Sequence, residues 1–144
     1  MSCRSFPRAL LLFALPAVCL GCGPRSQQTP VFPVKGAVFV GGKPAVRALV
    51  TFHPLGSADP STPRPTGEAG DDGSFALSTH TTGDGAPAGE YAVTVYWPGG
   101  SSPIGGDADS EGDRLGKRYA DPATTPLRAR VNEGPTELAP FQLK

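Results

Sequence analysis

The sequence predicts an all-β protein, an antiparallel β-sandwich of about seven short strands that follows an N-terminal leader. Two observations support this prediction. The 144 residues include 19 glycines and 17 prolines, and both residue types interrupt helices. Behind the leader, the longest stretch free of both is nine residues, shorter than an average helix of about 11–12 residues. The apolar residues also alternate with polar ones in short runs, as they do in half-buried strands.

The charge balance separates this chain from two other classes of protein. A quarter of the residues are glycine or proline, a fraction that is also found in disordered chains. Disordered chains combine low hydrophobicity with high net charge, whereas here 13 basic residues balance 13 acidic ones and the apolar residues are clustered. The same balance gives no electrostatic attraction to nucleic acid, so we expect no nucleic-acid partner.

The first 21 residues have the pattern of a signal peptide. Arg4 and Arg8 precede an apolar run of ten residues, 9–18. A membrane-spanning helix needs about 20 apolar residues, and Pro16 interrupts this run, so a cleaved signal is favoured over an uncleaved anchor.

The leader ends in Cys19-Leu20-Gly21-Cys22, which resembles the bacterial lipobox. The resemblance implies cleavage between Gly21 and Cys22, a diacylglycerol thioether on the Cys22 sulfur and an acyl chain on the new amino group. Two or more chains give stable membrane attachment. The alternative is an ordinary secretory signal followed by a structural Cys22. Cys3 and Cys19 leave with the leader, so no disulfide is expected within the domain.

The mature chain divides into a tether and one domain. Residues 22–33 comprise Cys22 and a polar, proline-containing tether, and residues 34–144 form the domain. Its first apolar residues alternate over 34–40, glycines 41 and 42 predict a turn, and residues 46–52 alternate again. This pattern predicts a β-hairpin.

The remaining elements follow from turns and further alternating runs. Residues 55–66 predict an exposed loop, and Asp71-Asp72-Gly73 predicts a tight turn before Phe75 and Leu77. The most regular alternation, over 91–97, predicts a strand with Tyr91 and Trp97 in the core. A second polar loop covers 99–112, and two short strands are predicted over 127–132 and 138–143, with a turn between them.

Several of these motifs resemble the carboxypeptidase regulatory-like, or transthyretin-like, β-sandwich, an Ig-like arrangement. The resemblance covers residues 34–144, and its motifs are Val34-x-Gly36-x-Val38, Gly42-x-Pro44, Val50-x-Phe52, Asp71-Asp72-Gly73-x-Phe75-x-Leu77 and Gly89-x-Tyr91-x-Val93-x-Val95. Farther on, Arg118-Tyr119-Ala120-Asp121-Pro122 is similar to short bacterial lipoproteins built on that sandwich. The resemblance implies a fold and does not by itself imply an activity.

The candidate catalytic residues do not form a recognisable motif. His53 and His80 are the only histidines, and a zinc site built on them would need carboxylates or water. His53 is expected to be a solvent-facing strand residue. A transthyretin-related enzyme hydrolyses 5-hydroxyisourate and ends in Tyr-Arg-Gly-Ser, whereas this chain has Phe141-Gln142-Leu143-Lys144. We therefore predict a protein that is not an enzyme, with no cofactor and no catalytic or metal-ligating residues.

Two binding hypotheses stay open. Residues 107–112, Asp-Ala-Asp-Ser-Glu-Gly, match the first half of an EF-hand loop, but Arg118 occupies the twelfth position, where a bidentate Glu is required. An EF-hand is excluded, and the acidic loop 107–113 is either a looser Ca²⁺ site or a solvated loop. Tyr91, Tyr96 and Trp97 could form a platform for carbohydrate, although only Tyr96 is predicted to face away from the core.

The predicted function is that of an exported lipoprotein anchored to a membrane of the bacterial cell envelope, on the periplasmic or surface side. Gly23 follows Cys22, which favours the outer membrane in a cell with two membranes. The domain is expected to be a non-catalytic scaffold or interaction module, with membrane lipid bound through Cys22 and an envelope protein or polysaccharide as partner. The alternatives are a surface module that binds carbohydrate or Ca²⁺, and a transthyretin-related hydrolase.

Overall fold

The computed structural model describes residues 28–57, 59–99 and 112–144. The predictions for the leader, Gly21, Cys22 and residues 107–111 lie outside these ranges. The described residues form nine strands and no helix, and none of their segments is a helix long and apolar enough to span a membrane. The strands are β1 (Val34–Val40), β2 (Lys43–Pro44), β3 (Leu49–Pro54), β4 (Thr66–Glu68), β5 (Ser74–Ala76), β6 (Gly89–Tyr96), β7 (Arg128–Val131), β8 (Thr136–Glu137) and β9 (Phe141–Leu143).

The strands form two sheets, which confirms the predicted all-β sandwich. One sheet is built around β1, which pairs antiparallel with β2 and β5 and parallel with β8 and β9. The other sheet is antiparallel throughout, in the order β4-β3-β6-β7. The two parallel pairings follow from the path of the chain. β7 runs back towards the end of the sandwich where β1 begins, and β8 starts there beside Val34. β8 and β9 therefore run in the same direction as β1.

The predicted hairpin is only partly correct. Gly41 (φ +56°) and Gly42 (φ +77°) form the expected turn, and the two-residue strand β2 pairs with the end of β1. The run over 46–52 does not continue this pairing. Its strand, β3, lies in the other sheet between β4 and β6. A hairpin would place the apolar faces of β1 and β3 side by side, whereas the sandwich packs them against each other.

The core lies between the sheets, and the alternation predicts most of it. Inward-facing and buried are Val34, Val38, Val50, Phe52, Phe75, Leu77, Tyr91, Val93, Val95, Val131 and Leu143. Phe75 lies over Gly36, where an added Cβ would come within 2.6 Å of the phenyl ring, and it stacks on Phe141 at 6.3 Å. Trp97, predicted to be in the core, is half-buried and packs at the rim of the core.

One side of the sandwich is closed by contacts between the two sheets. Thr66 of β4 donates to the Ser78 carbonyl at 3.0 Å and accepts from the Ser78 N–H at 2.8 Å. A Cβ on Gly67 would lie 2.8 Å from the Ala76 carbonyl oxygen, so the two strands approach closely at this point. The loop predicted over 55–66 is correct for the described residues up to Arg64, whereas Pro65 is buried and β4 begins at Thr66.

Candidate functional site

The chain enters the sandwich at a defined point. Phe32 donates to the Ala86 carbonyl at 2.8 Å and accepts from the Ala86 N–H at 2.9 Å, so the end of the predicted tether is paired with the segment before β6. Gly85 has φ +101°, and a Cβ at this position would overlap the Phe32 carbonyl. Only glycine fits such a close approach at this φ without strain.

An aspartate organises the loop beside this entry point. The Asp84 carboxylate accepts hydrogen bonds from the N–H groups of Thr79, His80 and Thr81 at 2.7–2.9 Å. His80 is an exposed member of this loop. Asp84 therefore fixes the loop that presents Gly85 and Ala86 to Phe32.

The second histidine, His53, lies on the outer face of the four-stranded sheet. Its Nε2 atom is 2.9 Å from Thr94 Oγ1 on β6. Partial burial and, secondarily, the positive charge of Arg64 lower the pKa of His53. The outward direction agrees with the prediction, but the ring is half-buried. In residues 28–57, 59–99 and 112–144, no group of three or more His, Cys, Asp or Glu residues is placed to hold a metal.

The three aromatic residues considered as a carbohydrate platform occupy different environments. Tyr91 is buried against Phe52, with ring centroids 5.5 Å apart, and its hydroxyl donates to the Pro87 carbonyl at 2.7 Å. Burial raises the pKa of this hydroxyl. Tyr96 has the opposite strand parity and is half-buried. These two rings therefore do not share a surface.

Trp97 has a contact on one face of its ring and a hydrogen bond at its ring nitrogen. The indole N–H donates to the Val46 carbonyl at 3.0 Å, and the Arg114 guanidinium lies 4.1 Å from the ring centroid. A sugar would have to displace Arg114 to stack on that face. The geometry therefore does not favour the aromatic platform.

Asp113, the last residue of the acidic loop, is a structural carboxylate. Its Oδ1 atom accepts from the N–H groups of Trp97 (3.1 Å) and Leu115 (3.0 Å), and Oδ2 accepts from the Lys117 N–H at 2.9 Å. No local sequence pattern predicts this role, because the partner Trp97 lies 16 residues away. The Ca²⁺ hypothesis concerns the loop 107–113, of which residues 107–111 lie outside the described ranges.

Exposed polar groups and two clefts lie along β7. Arg128 and Arg130 are exposed on this edge strand, and Arg130 Nη1 lies 3.8 Å from Glu90 Oε1. A cleft of about 310 Å³ is lined by Leu55, Glu90, Tyr91, Arg128, Ala129 and Arg130. A second, of about 440 Å³, continues along Arg130 to Glu133. Ligand pockets usually measure about 300–1,000 Å³, so the two clefts are large enough for peptide side chains.

The sequence placed a strand here but did not single out this edge. Arg128 and Arg130 were only the polar members of an alternating run. The Arg-x-Arg spacing, which puts two cations on one face of a strand, is the signal that could have identified it.

Comparisons with known proteins add little to this geometry. No family model and no curated protein sequence matches the chain. A solved structure of a DUF3823 family protein from Parabacteroides merdae is similar at 15% sequence identity over 78% of this chain, with a TM-score of 0.40. The matched region spans 45% of that protein. The fold assignment rests on the strand pairing described above.

Proposed function

We propose that this protein is an exported lipoprotein, attached to a bacterial envelope membrane through Cys22, whose sandwich is a non-catalytic interaction module. The observation that carries the proposal is the order of segments in the sequence: a charged and apolar leader, then Leu20-Gly21-Cys22, then a polar tether. The pairing of Phe32 with Ala86 supports it, because it marks where the tether joins the folded domain.

The tether keeps the domain close to the bilayer. Nine residues, 23–31, separate Cys22 from Phe32. A fully extended chain spans at most about 3.3–3.6 Å per residue, so the tether reaches roughly 30 Å. The end of the sandwich that carries Phe32 and Ala86 then faces the membrane. The opposite end, with the β1–β2 turn and Trp97, faces away.

The interaction role is supported by the contrast between the histidines and β7. His53 is engaged with Thr94, and His80 lies apart from it in the Asp84 loop. The edge of β7, by comparison, combines exposed cationic side chains with two neighbouring clefts. Such an edge is suited to holding a partner chain.

The anchor is tested by metabolic labelling. Cells that express the full chain are supplied with an alkyne analogue of palmitate, and the protein is isolated and assayed for the label. We expect labelled wild-type protein, no label in Cys22→Ala, and full labelling in the matched control Cys19→Ala. An unlabelled wild-type protein, or a Cys22→Ala variant that keeps the label, would overturn the anchor.

A further inference from the structure

We propose that the free edge of β7 binds an extended peptide of alternating acidic and apolar residues, which joins the β4-β3-β6-β7 sheet as a fifth strand. This inference deepens the interaction role proposed above and rests on it. The partner is a segment in strand conformation with carboxylates at every second position.

The first support is the direction of the backbone groups on β7. In an antiparallel pair, residues alternate between those that exchange hydrogen bonds and those whose N–H and C=O point away. The Val93 N–H donates to the Leu127 carbonyl at 3.0 Å, and the register pairs Tyr91 with Ala129. The bonded positions are therefore 127, 129 and 131, and the N–H and C=O of Arg128 and Arg130 point outward.

These outward groups are free among the residues that the structure describes. None of the turn and side-chain hydrogen bonds there reaches the main-chain N–H or C=O of Arg128 or Arg130. At the opposite edge of the same sheet, the equivalent outward groups of Thr66 are bonded to Ser78. The β7 edge therefore offers two donors and two acceptors that a peptide strand could use.

The side chains of β7 select the charge of that peptide. Arg128 and Arg130 lie on the same face, two residues apart, and both are exposed. Carboxylates two residues apart on an added strand would lie opposite them, and opposite charges across a strand pair are favourable. A second copy of this chain paired through β7 would instead bring arginines together. The Glu90–Arg130 ion pair is 66–75% exposed and contributes little, so a ligand carboxylate can compete with Glu90.

The inner face of β7 accounts for the apolar positions of the ligand. Side chains between the carboxylates would point to the face of the sheet opposite the arginines, where Ala129 is half-buried and Val131 is buried. Aliphatic side chains at these ligand positions would extend this apolar face. The 310 Å³ cleft lies on the arginine face, because Leu55 lies beside Glu90, which pairs with Arg130.

The test uses the protein purified in mild detergent from cells that express the full chain. The probe is a short fluorescent peptide of alternating valine and glutamate, and binding is measured by anisotropy. We expect saturable binding, and at least about tenfold weaker binding of the matched valine–lysine peptide. Exchanging both arginines, Arg128→Glu with Arg130→Glu, should reverse this preference. Lys35→Glu, an exposed charge change on the other sheet, should leave it unchanged.

Two further measurements separate strand addition from simple charge attraction. Arg130→Pro removes one outward N–H and no β6 hydrogen bond, and should weaken binding more than Arg130→Gln, which removes only the charge. A valine–glutamate peptide methylated at the backbone nitrogens that face β7 should lose binding to the wild-type protein, whereas one methylated at the other alternate nitrogens should keep it. This comparison needs no variant to fold. Absence of glutamate-peptide binding, equal binding of the two methylated peptides, or dimerisation through β7 would overturn the inference. Labelling at Cys22 is scored separately, so failure of the anchor and failure of this edge give different results.

Discussion

The two edges of the four-stranded sheet differ in whether their outward main-chain groups are hydrogen-bonded. At one edge, the outward N–H and C=O of Thr66 on β4 are bonded to Ser78, and Gly67 lets the strand approach Ala76 closely. At the other edge, the main-chain groups of Arg128 and Arg130 on β7 point away from β6 and have no hydrogen-bond partner among the described residues. Both strands are short, so length does not explain the difference. The comparison indicates that β4 links the two sheets at one edge, whereas β7 is the edge at which we propose that a partner strand binds.

Charge explains how an open edge is tolerated. A row of unpaired main-chain groups favours association with other strands, and natural proteins limit this with short edge strands and charged side chains. β7 has four residues, two of them arginines, whereas the closed β4 carries one charged residue, Glu68. The arginines discourage pairing between identical copies and leave acidic strands as suitable partners.

The largest expected effect is on the closed side. Phe75→Ala removes a buried ring that covers Gly36 and stacks on Phe141, and should lower the free energy of unfolding by about 3–5 kcal/mol. Leu127→Ala, at a half-buried position beside the open edge, should cost about 1–2 kcal/mol. Urea unfolding of both variants checks the order. An equal loss would mean that the two sides contribute alike.

A glycine substitution tests the close approach of β4 to β5. Gly67→Ala places a methyl group 2.8 Å from the Ala76 carbonyl oxygen and should destabilise the protein by about 1–3 kcal/mol. The matched control is Gly112→Ala, because no atom of the described residues lies within 4 Å of a Cβ at that position. The control should change stability by less than about 0.5 kcal/mol in thermal or urea unfolding. If both variants unfold like the wild type, the edge is not tightly closed.

The smallest effect concerns His53, which lies on β3 between the two edges. Burial and Arg64 lower the pKa of His53 in the folded protein, whereas in the unfolded chain it is about 6.5. The unfolded state therefore binds the proton first as pH falls. The stability contribution is complete above about pH 6.5 and is lost as pH drops through the folded-state pKa. His53→Gln should reduce this acid-side loss, and Arg64→Gln should reduce it in part. Urea-unfolding midpoints measured above and below about pH 6.5 report this loss of stability. A midpoint that falls with pH as steeply in His53→Gln as in the wild type would contradict the assignment.

Local patterns predicted much of the fold. The alternation around Tyr91, Val93 and Val95 placed the central strand, and Asp71-Asp72-Gly73 placed a turn in which Gly73 has φ +80°. Sheet partners were not predictable in this way, because pairing depends on residues distant in the chain. β3 was assigned to β1 as a hairpin, and β4 was missed because Thr66-Gly67-Glu68 contains no apolar side chain.

The features of the candidate site also differ in whether a local sequence pattern could predict them. The Cys22 motif is local, so it could be read from the sequence, and it stays a prediction. The outward main-chain groups of Arg128 and Arg130 depend on the register between β6 and β7, which the alternation of residues 127–132 does not specify. The role of Asp113 was also missed, because it depends on the main chain of Trp97.

Hydrogen exchange of individual amides tests the difference between the two edges most directly. In the full chain purified in mild detergent, we expect slow exchange at Thr66, Ala129 and Val131, whose N–H groups are bonded, and fast exchange at Arg128 and Arg130. Adding the valine–glutamate peptide should slow the two arginine amides and leave Thr66 unchanged. Protection of Arg128 and Arg130 in the free monomer would contradict an open β7 edge, and fast exchange at Thr66 would contradict a closed β4 edge.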